Sequence, residues 1–92
     1  MDGHFVYIIK SQSTGYRYIG ETSDITDRLN RHNSNRSKST KGKGPWEIEA
    51  LYEVKDKSEA CLLELKLKGM KNSLKAVEYL KRLNSGAEHS DF

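Results

Sequence analysis

Residues 5–32 have the sequence FVYIIKSQSTGYRYIGETSDITDRLNRH, and this stretch decides the fold. It opens with five successive apolar residues, Phe5 to Ile9, whose β-branched and aromatic types favour a strand buried on both faces and central in its sheet. Residues 11–15 have the composition of a turn, and residues 16–20 then form the second strand of a hairpin. The remainder of the stretch predicts a helix that packs on this hairpin.

The second strand and the helix carry polar side chains toward a common point. Alternation along the strand places Tyr18 and Gly20 on one face, where a glycine permits the close approach of another group. The helix is predicted to begin near Asp24, and Arg28 and His32 share a helical stripe with apolar residues that can pack on the sheet. We therefore expect two tyrosines, an arginine and a histidine to lie within reach of one another.

The second half of the chain predicts one further strand and two helices. Residues 46–54 alternate between apolar and polar types, which predicts a third strand at a sheet edge with one apolar face, Leu51 being the exception. Residues 59–68 are strong helix formers, and a last helix begins near Ser73 with core positions at Leu74, Val77, Leu80 and Leu83. The predicted fold class is α/β (α+β), a small three-stranded antiparallel sheet flanked by helices in the order ββαβαα.

One carboxylate interrupts the apolar arc of the predicted helix 59–68. Glu64 falls inside this arc, and burying a carboxylate alone is expensive, so it must be paired, hydrogen-bonded or bound to a metal. A salt bridge to Arg28 or Lys68 is one interpretation. A metal site that faces the tyrosine, arginine and histidine cluster is the other.

Length and composition limit what the chain can be. Ninety-two residues predict a single domain over residues 1–84 with a polar tail over 85–92. The chain has no apolar run of about 18 residues, so no membrane partner is expected. The single cysteine, Cys61, fits a reducing, cytoplasmic compartment and gives no zinc site. Without a phosphate-cradling glycine loop, no nucleotide cofactor is expected.

A basic stretch points to a polyanion partner. The chain has 16 basic and 13 acidic residues, yet residues 28–46 contain no aspartate or glutamate. Such a patch suggests nucleic acid, although on charge alone a solvated loop is an equal alternative. The candidate contacts to a nucleic-acid backbone, which would be independent of sequence and sensitive to salt, are Arg31, Arg36, Lys38, Lys41, Lys43, Lys68 and Lys71.

Short motifs follow one another along the chain in a defined order: Val6-Tyr7-Ile8, Tyr18-Ile19-Gly20, Arg28-Leu29-x-x-His32, Thr40-Lys41-Gly-x-Gly-Pro45-Trp46 and Ser58-Glu59-Ala60-x-x-x-Glu64. Each is weak alone. Their order and spacing together resemble the GIY-YIG nuclease superfamily, and within it the small single-domain proteins related to the UvrC nuclease domain. Phe5 stands where the first motif of that superfamily has glycine, but the tyrosine is kept.

The resemblance implies a metal-dependent DNA endonuclease that hydrolyses phosphodiester bonds, in DNA repair or recombination. It implies that Glu64 holds one divalent ion, Mg²⁺ or Mn²⁺, and that Arg28 binds the scissile phosphate. Tyr7 would orient or deprotonate the attacking water, with His32 as a proton relay and Tyr18 as a second hydrogen-bonding partner. Gly20 would be structural at the site, and the substrate would be branched or flapped DNA.

Two further interpretations remain open. The chain could be a catalytically weak or inactive DNA-binding module of the same fold that acts with a partner protein, or a scaffold whose basic loop docks on an acidic protein. For single residues, the alternatives are an ion pair of Arg28 with Asp24 or Asp27 and a structural role for His32. We expect a monomer or a weak dimer formed through the edge strand.

Overall fold

The computed structural model describes residues 3–34 and 40–85. Its elements follow the predicted order: β1 (His4–Ser11), β2 (Arg17–Thr22), α1 (Ile25–Asn33), β3 (Trp46–Val54), α2 (Lys57–Lys68) and α3 (Ser73–Ser85). The predicted fold class, an α+β domain with one small antiparallel sheet, is confirmed. Arg36, Lys38 and the end of the predicted polar tail lie outside the described residues.

The sheet places the apolar run of β1 in its centre. The strand order is β2-β1-β3, and both neighbours pair with β1 in antiparallel fashion. Residues 6–9 are buried because helices cover both faces of this strand. The register sets Tyr7 opposite Gly20 on β2 and Leu51 on β3. This register brings the first two motifs of the sequence side by side.

A β-bulge in β3 changes the facing of its side chains. Between Ile48 and Ala50 the pairing with β1 skips Glu49, and an extra residue of this kind shifts the alternation to the other face. Trp46 and Leu51 therefore pack on one side of the sheet and Ala50 on the other. The prediction that residues 46–54 present one apolar face was wrong, and the bulge explains why Leu51 stood out.

Two hydrophobic cores lie on opposite faces of the sheet. The larger one, beneath α2 and α3, consists of Val6, Ile8, Ala50, Ala60, Leu67, Ala76, Val77 and Leu80. The smaller one, on the face covered by α1, consists of Tyr7, Ile9 and Trp46, with Tyr18, Ile25, Leu29 and Leu51 packed against it. Tyrosine rings thus supply part of the smaller core, and their polar tips need hydrogen-bond partners within it.

Side-chain caps fix where the helices begin. Asp24 accepts a hydrogen bond from the Asp27 amide at 3.0 Å, and Asp56 accepts one from the Glu59 amide at 3.0 Å. Each cap satisfies an amide that has no partner inside the helix and contributes about 1 kcal/mol. The caps therefore hold the two helices whose later turns carry the candidate site residues.

The last helix differs from its prediction at one position. Leu74, predicted to be a core residue, is 50% exposed, whereas Ala76 is fully buried. The helical period is right, but the buried stripe passes through Ala76, Val77 and Leu80.

With 13 residues, α3 is shorter than the roughly 20 that an apolar membrane span needs. No helix in residues 3–34 and 40–85 is long and apolar enough to cross a membrane.

Candidate active site

The hydroxyl of Tyr7 is the centre of the candidate site. Its side chain extends from the central strand across Gly20 on β2, where a Cβ atom would lie 2.5 Å from the Tyr7 hydroxyl oxygen and 2.6 Å from the ring carbon Cζ. Only a residue without a side chain leaves this room. The close approach that the sequence predicted at Gly20 is thus made by a second candidate site residue.

His32 and Thr40 continue from Tyr7 as a buried hydrogen-bonded chain. The Tyr7 hydroxyl lies 2.9 Å from His32 Nε2, and His32 Nδ1 lies 2.8 Å from Thr40 Oγ1. All three residues are at most 2% exposed. Polar groups this deeply buried require partners, and here they supply one another.

Tyr18 lies beside this chain. Its ring centroid is 6.4 Å from that of Tyr7 and 5.2 Å from that of His32, and it is half-buried. The structure therefore brings both predicted tyrosines and the predicted histidine together. The more exposed Tyr18 is the tyrosine of the pair with access to a ligand from solvent.

Arg28 points into the same cluster. Its guanidinium lies near enough to the Tyr7 hydroxyl to lower the pKa of Tyr7, and it has a long contact of 3.5 Å to the Glu21 carbonyl oxygen. Asp27 pairs with Arg31 at 3.4 Å, and Asp24 caps α1. The alternative of an ion pair between Arg28 and these aspartates therefore does not describe the observed arrangement.

Burial sets the protonation states of this cluster. It raises the pKa of Tyr7 to about 12, with the charges of Tyr18 and Glu64 acting in the same direction and the hydrogen bond and charge of Arg28 opposing them. Burial, and then the positive charge of Arg28, lower the pKa of His32. At neutral pH Tyr7 therefore carries its proton, and His32 is a neutral imidazole that can accept one.

Glu64 faces the cluster from α2 but already has a cation beside it. Its carboxylate lies 2.7 Å from the Lys68 ammonium, and its side chain is 20% exposed. Of the two salt-bridge partners considered from the sequence, Lys68 is the observed one. The negative charge of Glu64 nevertheless contributes to the raised pKa of Tyr7, so the two groups lie close enough to interact.

The donors present fit a hard divalent ion held by few protein ligands. In the described part of the chain, no group of three or more histidine, cysteine, aspartate or glutamate side chains could enclose a metal. Mg²⁺ commonly binds through one or two carboxylates and completes its shell with water and substrate phosphate oxygens. A partly exposed carboxylate that already attracts a lysine ammonium suits that kind of binding, provided that Lys68 moves away.

The predicted DNA-contacting residues fall into two groups. Arg31, Lys41 and Lys43 are exposed, the first on α1 and the others in the turn before β3. Lys68 and Lys71, together with Tyr18, line an open groove of about 300 Å³. The second group therefore lies directly beside the candidate site.

The sequence did not identify Thr40 as a site residue. Eight positions separate it from His32, and it lies beyond the end of α1, so no helical period relates the two residues. The motif Thr40-Lys41-Gly was the available signal, because it belongs to the set whose order resembled a known family.

The family follows from this fold and from direct comparison. A family model described as "GIY-YIG catalytic domain" matches residues 3–86. The chain therefore belongs to the GIY-YIG family, and its domain is of the nuclease type. The predicted resemblance is confirmed. A nuclease domain of this family implies a DNA substrate, and such nucleases generally use divalent metals.

Relatives of similar length support this assignment. The UPF0213 protein BH0048 of Halalkalibacterium halodurans is 33% identical over 84 residues, covering 90% of this chain and 86% of that protein. A UPF0213 protein of Staphylococcus aureus is 39% identical over 71 residues, covering 74% and 83% respectively. The solution NMR structure of the UPF0213 protein BH0048 from Bacillus halodurans matches with a TM-score of 0.52 at 33% identity, covering 91% of this chain and 87% of that one.

Proposed function

We propose that this chain is a metal-dependent DNA endonuclease in DNA repair or recombination. It would hydrolyse phosphodiester bonds at the cluster formed by Tyr7, Tyr18, Arg28 and His32. One observation carries the proposal: a buried tyrosine hydroxyl lies 2.9 Å from a histidine nitrogen, beside a guanidinium that lowers the pKa of the same tyrosine. Hydrolysis requires an activated water and stabilisation of the charge that develops on the phosphate. The cluster contains a group suited to each requirement.

Water activation would fall to Tyr7 and His32 acting together. A tyrosine with a pKa of about 12 is a poor base while it keeps its proton. If the proton of the attacking water moves to the Tyr7 oxygen while the Tyr7 proton moves to His32 Nε2, no isolated phenolate has to form. Burial and the charge of Arg28 lower the pKa of His32, so the imidazole starts neutral and has a nitrogen lone pair for the Tyr7 proton.

Arg28 and a metal ion would stabilise the negative charge on the phosphate. The planar guanidinium of Arg28 matches two phosphate oxygens at once. Glu64 would hold Mg²⁺ or Mn²⁺, which supplies charge neutralisation at the phosphate when bound. Lys68, once displaced from Glu64, would be free to contact the DNA backbone. Tyr18 would hydrogen-bond the substrate or the attacking water.

The basic side chains would bind the DNA backbone. Lys68 and Lys71 line the groove next to Tyr18, and Arg31, Lys41 and Lys43 add exposed positive charge; Arg36 and Lys38 remain candidates from the sequence. Because one small domain holds one active site, it would nick one strand or act on branched or flapped DNA. A monomer or a weak dimer and a cytoplasmic location, in keeping with the lone cysteine, are part of this proposal.

The test is cleavage of a labelled set of single-stranded, duplex, flapped and branched DNAs with Mg²⁺ or Mn²⁺. The wild type is compared with Glu64→Gln and with the matched control Glu78→Gln, which alters an exposed carboxylate on α3. We expect the wild type and the control to cut, and Glu64→Gln to bind DNA without cutting. Equal cleavage by all three proteins would contradict the role of Glu64.

A second candidate function is a DNA-binding module that cleaves slowly or not at all beside a partner protein. The ion pair between Glu64 and Lys68 favours it, because a carboxylate neutralised by lysine is a weaker metal ligand. In that case both the wild type and Glu64→Gln bind DNA and neither cuts with any metal. Binding that does not weaken with added salt would contradict both candidates.

A further inference from the structure

The Thr40 hydroxyl lies at the far end of the hydrogen-bonded chain that starts at Tyr7. Thr40 is 1% exposed, and its backbone carbonyl oxygen accepts a hydrogen bond from Trp46 Nε1 at 3.4 Å. The Lys43 amide donates to the same carbonyl oxygen at 3.2 Å. Thr40 is thus held from its backbone by β3 and by the turn that precedes it. This leaves its hydroxyl directed at His32 Nδ1, 2.8 Å away.

A count of donors and acceptors shows which group donates at each step of the hydrogen-bonded chain from Tyr7 to Thr40. The Tyr7 hydroxyl has one hydrogen to donate, and the guanidinium of Arg28, which is near enough to lower the pKa of Tyr7, has only donors and cannot accept it. Within the described residues, the acceptor that faces this hydrogen is His32 Nε2. A neutral imidazole carries one N–H, so when Nε2 accepts, the hydrogen must be on Nδ1. That N–H then donates to Thr40 Oγ1.

We propose that Thr40 is a positioning residue that holds His32 as the Nδ1–H tautomer, so that Nε2 is left free to accept the proton of Tyr7. Without Oγ1, the buried Nδ1–H would lose its acceptor, and a buried donor left without a partner is destabilising. The imidazole would then carry its hydrogen on Nε2. Two donors, Nε2–H and Arg28, would face the Tyr7 oxygen, and the Tyr7 hydrogen would lose its acceptor.

The catalytic consequence of this arrangement rests on the proposed nuclease function, whereas the tautomer is a property of the free protein. When Nε2 takes the Tyr7 proton, the imidazolium donates from both nitrogens, and Thr40 Oγ1 continues to accept from Nδ1. The hydrogen bond from His32 Nδ1 to Thr40 Oγ1 therefore has the same donor and acceptor before and after the transfer. The neutral tautomer that Thr40 favours is the one that the transfer requires.

The test uses the full ¹⁵N-labelled chain and reads the His32 tautomer by long-range ¹H–¹⁵N NMR correlation. Thr40→Val removes the acceptor at nearly constant volume, Thr40→Ser retains it, and Thr22→Val is a matched control in which a buried hydroxyl bonded to the Asp24 backbone is lost. We expect Nδ1–H in the wild type, in Thr40→Ser and in Thr22→Val. In Thr40→Val we expect Nε2–H to predominate.

Cleavage kinetics provide the second readout. Thr40→Val should lower kcat about 10- to 100-fold with KM unchanged, by analogy with the loss of hydrogen-bond partners that orient metal-ligating histidines, and Thr40→Ser should restore kcat. An Nε2–H tautomer in the wild type, or an unchanged Nδ1–H tautomer in Thr40→Val, would overturn the proposal. Should Thr40→Val fail to fold, Thr40→Ala, which removes the same acceptor with a smaller side chain, is read in the same way. If the wild type cuts no DNA, the nuclease function fails, but the tautomer still tests Thr40.

Discussion

The hydroxyl oxygen of Tyr7 occupies the space that a side chain at Gly20 would need, with 2.5 Å between it and the expected Cβ position. Gly20 on β2, in the second motif, therefore determines where the side chain of Tyr7, in the first motif, can lie. Gly20 contributes no chemistry to the candidate site. It permits the path along which Tyr7 reaches His32 and Arg28.

This relationship predicts the effect of Gly20→Ala. The added methyl group would push the Tyr7 ring from its packed position, which costs about 1–3 kcal/mol of stability, and would move its hydroxyl away from His32. We expect a lower thermal midpoint and a loss of cleavage of about 100-fold. Gly69→Ala is the control, because a Cβ there makes ordinary contacts at 3.4 Å or more. Normal stability and cleavage in Gly20→Ala would contradict the argument.

Tyr7→Phe separates the hydroxyl from the ring. The ring keeps its place in the smaller core, but His32 Nε2 loses its buried partner at 2.9 Å. We expect a stability loss of about 1 kcal/mol and a fall in cleavage of at least about 100-fold in single-turnover assays. Tyr52→Phe, a half-buried tyrosine packed against the other core, should leave cleavage unchanged. A Tyr7→Phe protein that cuts like the wild type would show that the hydroxyl has no role.

The lowered pKa of His32 predicts a stability that depends on pH. The unfolded chain protonates this histidine near its ordinary pKa of about 6.5, whereas the folded protein protonates it at lower pH. Between the two values the unfolded state binds more protons, so stability is complete above this window and falls as the pH is lowered through it. Urea unfolding at a series of pH values between about 7 and 5 should give a steeper loss in the wild type than in His32→Asn. Equal slopes would count against burial as the cause.

Lys68→Met tests whether the lysine competes with a metal for Glu64. Removing the ammonium that lies 2.7 Å from the carboxylate should strengthen Mn²⁺ binding in the free protein about tenfold, equivalent to about 1.4 kcal/mol. It should also weaken DNA binding, because one basic contact is lost. Titration of Mn²⁺ by calorimetry measures the first effect. Lys55→Met, which breaks the exposed pair with Glu59, is the control, and equal Mn²⁺ affinity in all three proteins would exclude competition.

Periodicity was sufficient to predict the fold and most of the cluster. A two-residue period in β2 and a 3.6-residue period in α1 placed Tyr18, Arg28 and His32 toward one point, and the structure brings them together around Tyr7. These patterns are local, so they can be recognised from residue types alone. The chemical roles of these residues remain predictions.

Other features depended on interactions between distant parts of the chain. The apolar pattern of β3 is compatible with either phase of alternation, so the sequence did not reveal that pairing with β1 skips Glu49. The partner of Glu64 could have been Arg28 or Lys68, since both lay within reach. The contact between Thr40 and His32 joins α1 to a residue beyond its end, and no local period in the sequence predicts such a contact.

The β-bulge at Glu49 has a consequence for how small such a domain can be. Because the phase of β3 changes within the strand, nine residues supply Trp46 and Leu51 to one core and Ala50 to the other. The ring centroid of Trp46 lies 6.4 Å from that of His32, so the edge strand β3 also helps to bury the imidazole. Within residues 3–34 and 40–85, one three-stranded sheet and three helices are in this way enough to keep water from the buried hydrogen bonds of His32.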